Sequence, residues 1–169
     1  MPIPDHVVSL RARVGTDLLW LPGVSAVVRD GDHRLLLGRR ADSGQWALPS
    51  GILDPGEEPA VGIAREILEE TAVAVEVVGI VGVFSTPVVT YPNGDRTAYL
   101  DTLFRARPVS PEAARAARVA DDESLEVGWF AAHELPEDLA SSTRERLDRE
   151  REFLAADGDA ALFARPEES

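Results

Sequence analysis

Cysteine and lysine are both missing from this 169-residue chain. Without cysteine there can be no disulfide, thiolate metal centre or cysteine nucleophile, and no clue to the redox compartment. Without lysine, all 17 basic side chains are arginine, which rules out Schiff-base chemistry and a phosphate-loop lysine. Arginine, with its planar fork of donors, is left to grip any phosphate. Histidine is scarce, and His6, His33 and His133 are too scattered to suggest a zinc site. Long apolar runs are lacking as well. Asp5, His6, Arg11, Arg13 and Asp17 interrupt the N-terminal stretch, so neither a signal peptide nor a membrane span is expected, and the expected location is cytoplasmic.

Acid is what the chain has in excess. Thirty Asp and Glu against 17 Arg leave a net charge of −13, which argues against a partner that is a nucleic-acid polymer. The same surplus gives solubility and can help to hold hard cations. Hydrophobic residues at 44% and charged residues at 28% are the balance of a soluble globular protein, and the length suits one domain.

The pattern of apolar residues predicts the elements. Val7, Leu10 and Val14 at helical spacing, stopped by Gly15, predict a helix over about 4–14. Two apolar runs between Gly23 and Arg40, separated by Asp30-Gly31-Asp32, predict a β-hairpin. A short strand is expected over Trp46 to Pro49, then a loop broken by Gly51, Pro55 and Gly56. Val61, Ile63, Ala64, Ile67 and Leu68 among acids predict an amphipathic helix over Glu58 to Thr71. Strands are expected over the run from Val75 to Phe84, over Thr97 to Ala106 after an Asn93-Gly94 turn, and over Leu125 to Phe130. Ser142 and Glu145 form a capping-box pattern for a helix over about 142–155, and the chain ends in a loose tail. No repeat or linker divides residues 1–169, so one domain with a mixed sheet and helices on its faces is the expected architecture.

Glu66, Glu69 and Glu70 fall at i, i+3 and i+4, so a helix should project them from one face, with Arg65 the only base beside them. Clustered carboxylates repel one another unless a cation neutralises them. Hard oxygen ligands suit Mg²⁺ or Mn²⁺, and Mg²⁺ takes one or two carboxylates while keeping waters and accepting substrate phosphates. The triplet alone fits a solvated helix face equally well. The preceding segment changes that: Gly51, five residues, Glu57, seven residues, then Arg65-Glu66-Ile67-Leu68-Glu69-Glu70.

In that register the chain resembles the Nudix hydrolase family. Its signature reads here as GILDPGEEPAVGIAREILEETAV, Gly51 to Val73, and eight of nine constrained positions match; Ala72 replaces the family's glycine. The Leu35 to Arg40 strand, the Trp46-x-x-Pro49 entry and Glu123 ahead of Trp129 extend the likeness over about residues 20–140, leaving the terminal helices outside it. The resemblance implies an α+β, Nudix-type α/β/α sandwich with a mixed central sheet and the catalytic helix on one face. It implies Mg²⁺-dependent (or Mn²⁺-dependent) hydrolysis of a nucleoside diphosphate linked to a group X, a small-molecule nucleotide substrate.

The implied roles can be stated residue by residue. Glu66 and Glu70 are expected as metal ligands, with Glu69 a ligand or a partner through water. Ser50 and Gly51 are expected to offer backbone carbonyl. Arg65 would orient a glutamate, and its plain alternative is a helix salt bridge to Glu69. Glu57 fits a helix-start and hydrogen-bond role. Glu123 would add a ligand or the general base, in competition with Asp121 and Asp122. One of Arg39 and Arg40 is expected on phosphate. Trp46, Phe84 and Tyr91 are candidates to stack on a base, although strand aromatics are usually core, as Trp129 should be. An ADP-ribose-type substrate is the first expectation, because Pro87 lies fourteen residues beyond Val73. Oxidised nucleoside triphosphates are the alternative, and a non-catalytic nucleotide-sensing module is the rival from another class. The terminal helices could bury their stripes in a homodimer or within one chain.

Overall fold

The computed structural model describes residues 4–91 and 93–164. Its strands divide between two sheets. The larger is mixed: β4 (Ser50–Ile52) pairs with β1 (Leu19–Val28), β1 with β7 (Arg96–Pro108), and β7 with β5 (Val75–Ser85), while β6 (Val89–Thr90) adds to β7. The β1 and β7 strands run parallel, from Leu19 opposite Thr97 to Val28 opposite Ala106, and the other pairings are antiparallel. The smaller sheet is antiparallel, in the order β3 (Trp46–Ala47), β2 (Leu35–Arg40), β8 (Ser124–Phe130).

Side-chain alternation then sorts residues between two cores. Val24, Ala26 and Val28 of β1 and Leu36 of β2 face helix α2 (Pro59–Thr71), meeting Ile63 and Ile67. Val27, Leu35 and Leu37 face the other way, toward Leu147 and Phe153 of α4 (Ser141–Ala155). Each such buried aliphatic stabilises the fold by about 1.5–3 kcal/mol relative to exposure. The sheets therefore lie between α2 and α4, the expected α+β sandwich. Helix α1 (Asp5–Val14) is stopped by Gly15 at φ 60, whose N–H bonds Arg11 O, and α3 (Pro111–Arg115) is capped by the Ser110 hydroxyl.

Several local expectations are corrected. The β1 and β2 strands do not form a ladder; only Arg29 and Leu35 bridge before they part into different sheets. Both edges of β1 are taken by β4 and β7, so β2 has no edge of β1 to join. Part of the expected Gly51 loop is strand β4. The capping box does not form: Ala140 is the N-cap, without a side-chain bond, and Thr143 Oγ1 instead accepts from Leu48 N at 3.1 Å. The short β6 and α3 carried no periodic signal. The expected tail from Arg165 lies outside the described residues.

Candidate active site

Helix α2 enters with Pro59 in its first turn, where the missing N–H costs nothing, and it seats Ile63, Glu66 and Ile67 on its buried side. One residue further round, Arg65 and Glu69 look outward. The three glutamates are thus divided: Glu66 is fully buried, Glu70 is half-buried one turn along the same edge, and Glu69 keeps 49% of its side chain exposed. The three still share one face of the helix, with Arg65 Nη1 3.0 Å from Glu66 Oε1 and 3.1 Å from Glu69 Oε2, but that face runs from buried to exposed.

Arg65 joins the entry loop to the helix. It donates from Nε and Nη2 to the two oxygens of Glu57, at 2.8 and 2.9 Å, and from Nη1 to Glu69 Oε2 at 3.1 Å. The salt bridge to Glu69 and the orienting role expected for Arg65 therefore coexist. Glu57 Oε2 also accepts from Asp54 N at 3.1 Å, which ties down the loop. The Arg65 guanidinium holds the Glu57 carboxyl below its usual range.

Glu66 has no comparable satisfaction. Arg65 Nη1 stands 3.0 Å from Glu66 Oε1 but is not aligned for a hydrogen bond, and both Glu66 oxygens lack a hydrogen-bond partner. Burying a carboxylate without hydrogen-bond partners costs several kcal/mol, which the Arg65 charge offsets in part and protonation or a further cation would offset more fully. Burial pushes the Glu66 carboxyl up to about 7, against the opposing pull of Arg65. Burial also pushes Glu70 up to about 8, helped by the charges of Glu66 and Asp121. Gly51 lies directly against this group. A side chain there would overlap the Glu66 carboxyl, so only glycine lets the β4 backbone come so close.

Glu70 lines a small cleft together with Gly38, Arg40, Ser50, Glu123 and Ser124. The Asp121 carboxylate holds the turn that carries Glu123 and Ser124, accepting from their backbone N–H groups at 3.1 and 3.2 Å. Strand alternation separates the two arginines. Arg40 reaches the cleft and pairs with Asp42 at 2.6 Å, whereas Arg39 turns away to Glu126 at 2.7 Å. Trp46 packs edge-on against Phe130 at 4.8 Å within the α4-side core, and Phe84 lies under the Arg149 guanidinium at 4.3 Å. Trp129 packs against the α2-side core, as expected. Tyr91 hydrogen-bonds the hydroxyl of Tyr99 at 2.8 Å.

Among the described residues, no three His, Asp or Glu side chains converge as a ready cage for a metal ion. The structure brings together Ser50, Gly51, Glu66 and Glu70 with Arg40 and Glu123, and leaves Arg39 and Trp46 elsewhere. Ser124 and Gly38 were missed. They reach the cleft through the pairing of β2 with β8, which no local sequence pattern announces.

Comparison with known proteins gives the same reading. Residues 19–149 match the NUDIX domain family. A MutT-like protein from Streptomyces ambofaciens is 37% identical over 124 residues, covering 73% of this chain and 72% of that protein. An RNA pyrophosphohydrolase from Rickettsia prowazekii (strain Madrid E) is 38% identical over 56 residues, only 32% of this chain and 35% of that one. The crystal structure of a MutT NUDIX hydrolase from Burkholderia pseudomallei matches at a TM-score of 0.63 and 30% identity, covering 78% of this chain and 98% of that one. The family match spans most of the chain and includes the helix carrying Glu66 and Glu70: this chain belongs to the NUDIX domain family.

Proposed function

We propose that this Nudix hydrolase is a divalent-cation-dependent pyrophosphohydrolase of one domain. It cleaves the pyrophosphate linkage of a nucleoside diphosphate joined to a group X. The observation that carries this reading is the Glu66 carboxyl: fully buried, both oxygens without hydrogen-bond partners, and beside a second raised carboxyl at Glu70. Arg65 beside Glu66 and Arg40 near Glu70 pull against the rise of the two acids, yet both remain raised, which leaves a place for a further cation.

The residues present fit Mg²⁺ or Mn²⁺. Glu66 and Glu70 are the direct ligands in this reading, Glu69 acts through water, and the backbone at Ser50 and Gly51 adds carbonyl oxygen. An ion needing one or two carboxylates with waters and phosphates requires no closed cage. Such a cation supplies charge neutralisation at the phosphates and lowers the pKa of a bound water. Arg65 holds the helix acids in register with the loop through Glu57. Arg40 binds phosphate by exchanging Asp42 for substrate oxygens. Glu123, exposed at the cleft, takes the proton of the attacking water.

For X, ADP-ribose or a related nucleotide sugar is the first choice, on the spacing of Pro87, which is exposed between β5 and β6. Oxidised nucleoside triphosphates come second. A non-catalytic sensing module is the less favoured reading because every glutamate of the signature, Glu57, Glu66, Glu69 and Glu70, is present. The acidic surface supports a small-molecule substrate over a nucleic-acid polymer, and no described helix is long and apolar enough to cross a membrane. A cytoplasmic location remains part of the proposal.

The test is a panel of nucleoside diphosphate compounds and nucleoside triphosphates incubated with the protein and Mg²⁺, alongside Glu70→Gln. Turnover of at least one compound is expected, reduced by about two or more orders of magnitude in the variant at unchanged fold. Equal activity in Glu70→Gln would overturn the assignment of Glu70.

A further inference from the structure

Between β3 and β4 the chain crosses from the smaller sheet to the larger, and Ser50, at the end of that crossing, lines the cleft. Before the crossing, Trp46 and Ala47 pair with Arg39 and Gly38 of β2. After it, Pro49 O accepts from Ala26 N of β1 at 3.1 Å, and Leu53 N donates to Pro22 O at 3.2 Å. These two bonds settle the alternation along β4. Gly51 opposite Val24 is the hydrogen-bonded pair between them, so Ser50, opposite Ser25, turns its own N–H and C=O away from β1. Because β4 ends the larger sheet, the Ser50 carbonyl points off an open edge.

Residues 138–146 hold this crossing at two levels. Trp46 N donates to Asp138 O at 3.1 Å, Ala140 N donates to Trp46 O at 2.9 Å, and Leu48 N donates to the Thr143 hydroxyl at 3.1 Å. One turn further along α4, Arg146 Nε donates to Asp101 Oδ2 at 2.9 Å, and the Ser25 hydroxyl donates to the same carboxylate at 2.9 Å. Thr143 and Arg146 thus work from one face of α4, at i and i+3. Thr143 and Ser25 are fully buried and Asp101 nearly so, and a bond lost here would leave a buried polar group unpaired.

We propose that Thr143 and Arg146 are positioning residues of the cation site: by fixing Leu48 and Ser25, they set where the Ser50 carbonyl stands beside Glu70. The inference rests on the reading of Glu66, Glu70 and the Ser50 carbonyl as cation ligands, and extends it to a helix across the sheets from α2. A glutamate can turn its side chain to meet an ion. A backbone carbonyl cannot, so its place is set by what its chain neighbours bond. Pro49 lies between Leu48 and Ser50 with its φ locked by the ring, so a shift at Leu48 is passed on to Ser50. None of these contacts belongs to the signature, which begins at Gly51.

Calorimetric titration of the full chain with Mg²⁺, well below its melting temperature, tests this without reading turnover. Thr143→Val, which keeps the shape and removes the hydroxyl, should weaken Mg²⁺ binding about tenfold, while Thr143→Ser, which keeps the hydroxyl, should bind as the wild type does. Arg146→Met should weaken binding in the same direction, and it carries the test if Thr143→Val does not fold. Phe153→Leu is the control for a merely loosened helix: it alters the buried side of α4 further along and should lower the melting temperature at unchanged Mg²⁺ affinity. Wild-type affinity in Thr143→Val, equal weakening in Thr143→Ser, or equal weakening in Phe153→Leu would overturn the inference and leave the proposed function standing. No Mg²⁺ binding by the wild type would overturn the proposed function, and this inference with it.

Discussion

Ala72 ends α2 at φ 58 and ψ 15, in the left-handed region where the family signature has glycine. A helix ending in another conformation would spare an alanine this strain. The structure shows instead that the backbone is kept and the strain accepted, with Ala72 N–H bonded to Leu68 O at 2.9 Å. A left-handed alanine costs about 1–2 kcal/mol, and glycine gives part of that back through the entropy of the unfolded chain. Ala72→Gly should therefore stabilise the protein by about 1 kcal/mol, read as a higher midpoint in urea at unchanged slope. A lower midpoint would show that Ala72 makes contacts worth more than its strain. At this scale the sequence named the residues of the signature and not what each one meets. Gly51 and Glu66 were named from their spacing, but the overlap between them depends on β4 pairing with β1, fifteen residues from the glutamate in sequence.

Within α2, the two raised acids carry a dependence on pH. In the cation-free protein burial pushes Glu66 up to about 7 and Glu70 up to about 8, from an ordinary 4.5. Between these values the folded chain holds protons that the unfolded chain has released. The stability they contribute is fully present below 4.5 and is lost as pH rises through 7 and 8. Glu57 and Asp42, held low by Arg65 and Arg40, stay ionised across that window and add no slope. The cation-free melting temperature should fall between pH 5 and pH 8.5. Added Mg²⁺ should raise it more at pH 8.5 than at pH 5, because the ionised pair is the ligand we propose for it. A cation effect of equal size at both values would count against Glu66 and Glu70 as the site. The helix was legible because its period is local. The fate of the predicted hairpin was not, since whether β2 could join β1 depended on β4 and β7 having filled both edges of β1.

Over the whole molecule, the sandwich follows from alternation along β1 and β2, whose neighbouring residues serve opposite cores. The terminal helices differ in what they do with their apolar stripes. Leu147 and Phe153 of α4 are buried within the chain, whereas α1 buries Val7 and leaves Val8, Leu10 and Val14 exposed, near in sequence to exposed Leu18 and Trp20. A homodimer through the N-terminal segment is the assembly we propose. Sedimentation should give a mass near twice 18.3 kDa, shifting toward the monomer in Val8→Glu with Trp20→Glu, while a wild-type monomer at high concentration would reject it. The central claim concerns the buried acids and their cation, and one measurement reaches it most directly. ADP-ribose, or whichever compound the panel shows to be cleaved, is incubated in ¹⁸O-labelled water with and without Mg²⁺, and the products are weighed by mass spectrometry. One phosphate-bearing product should carry a single labelled oxygen, formed only when the cation is present and lost in Glu70→Gln. Labelled product at an undiminished rate without any divalent cation would contradict the account.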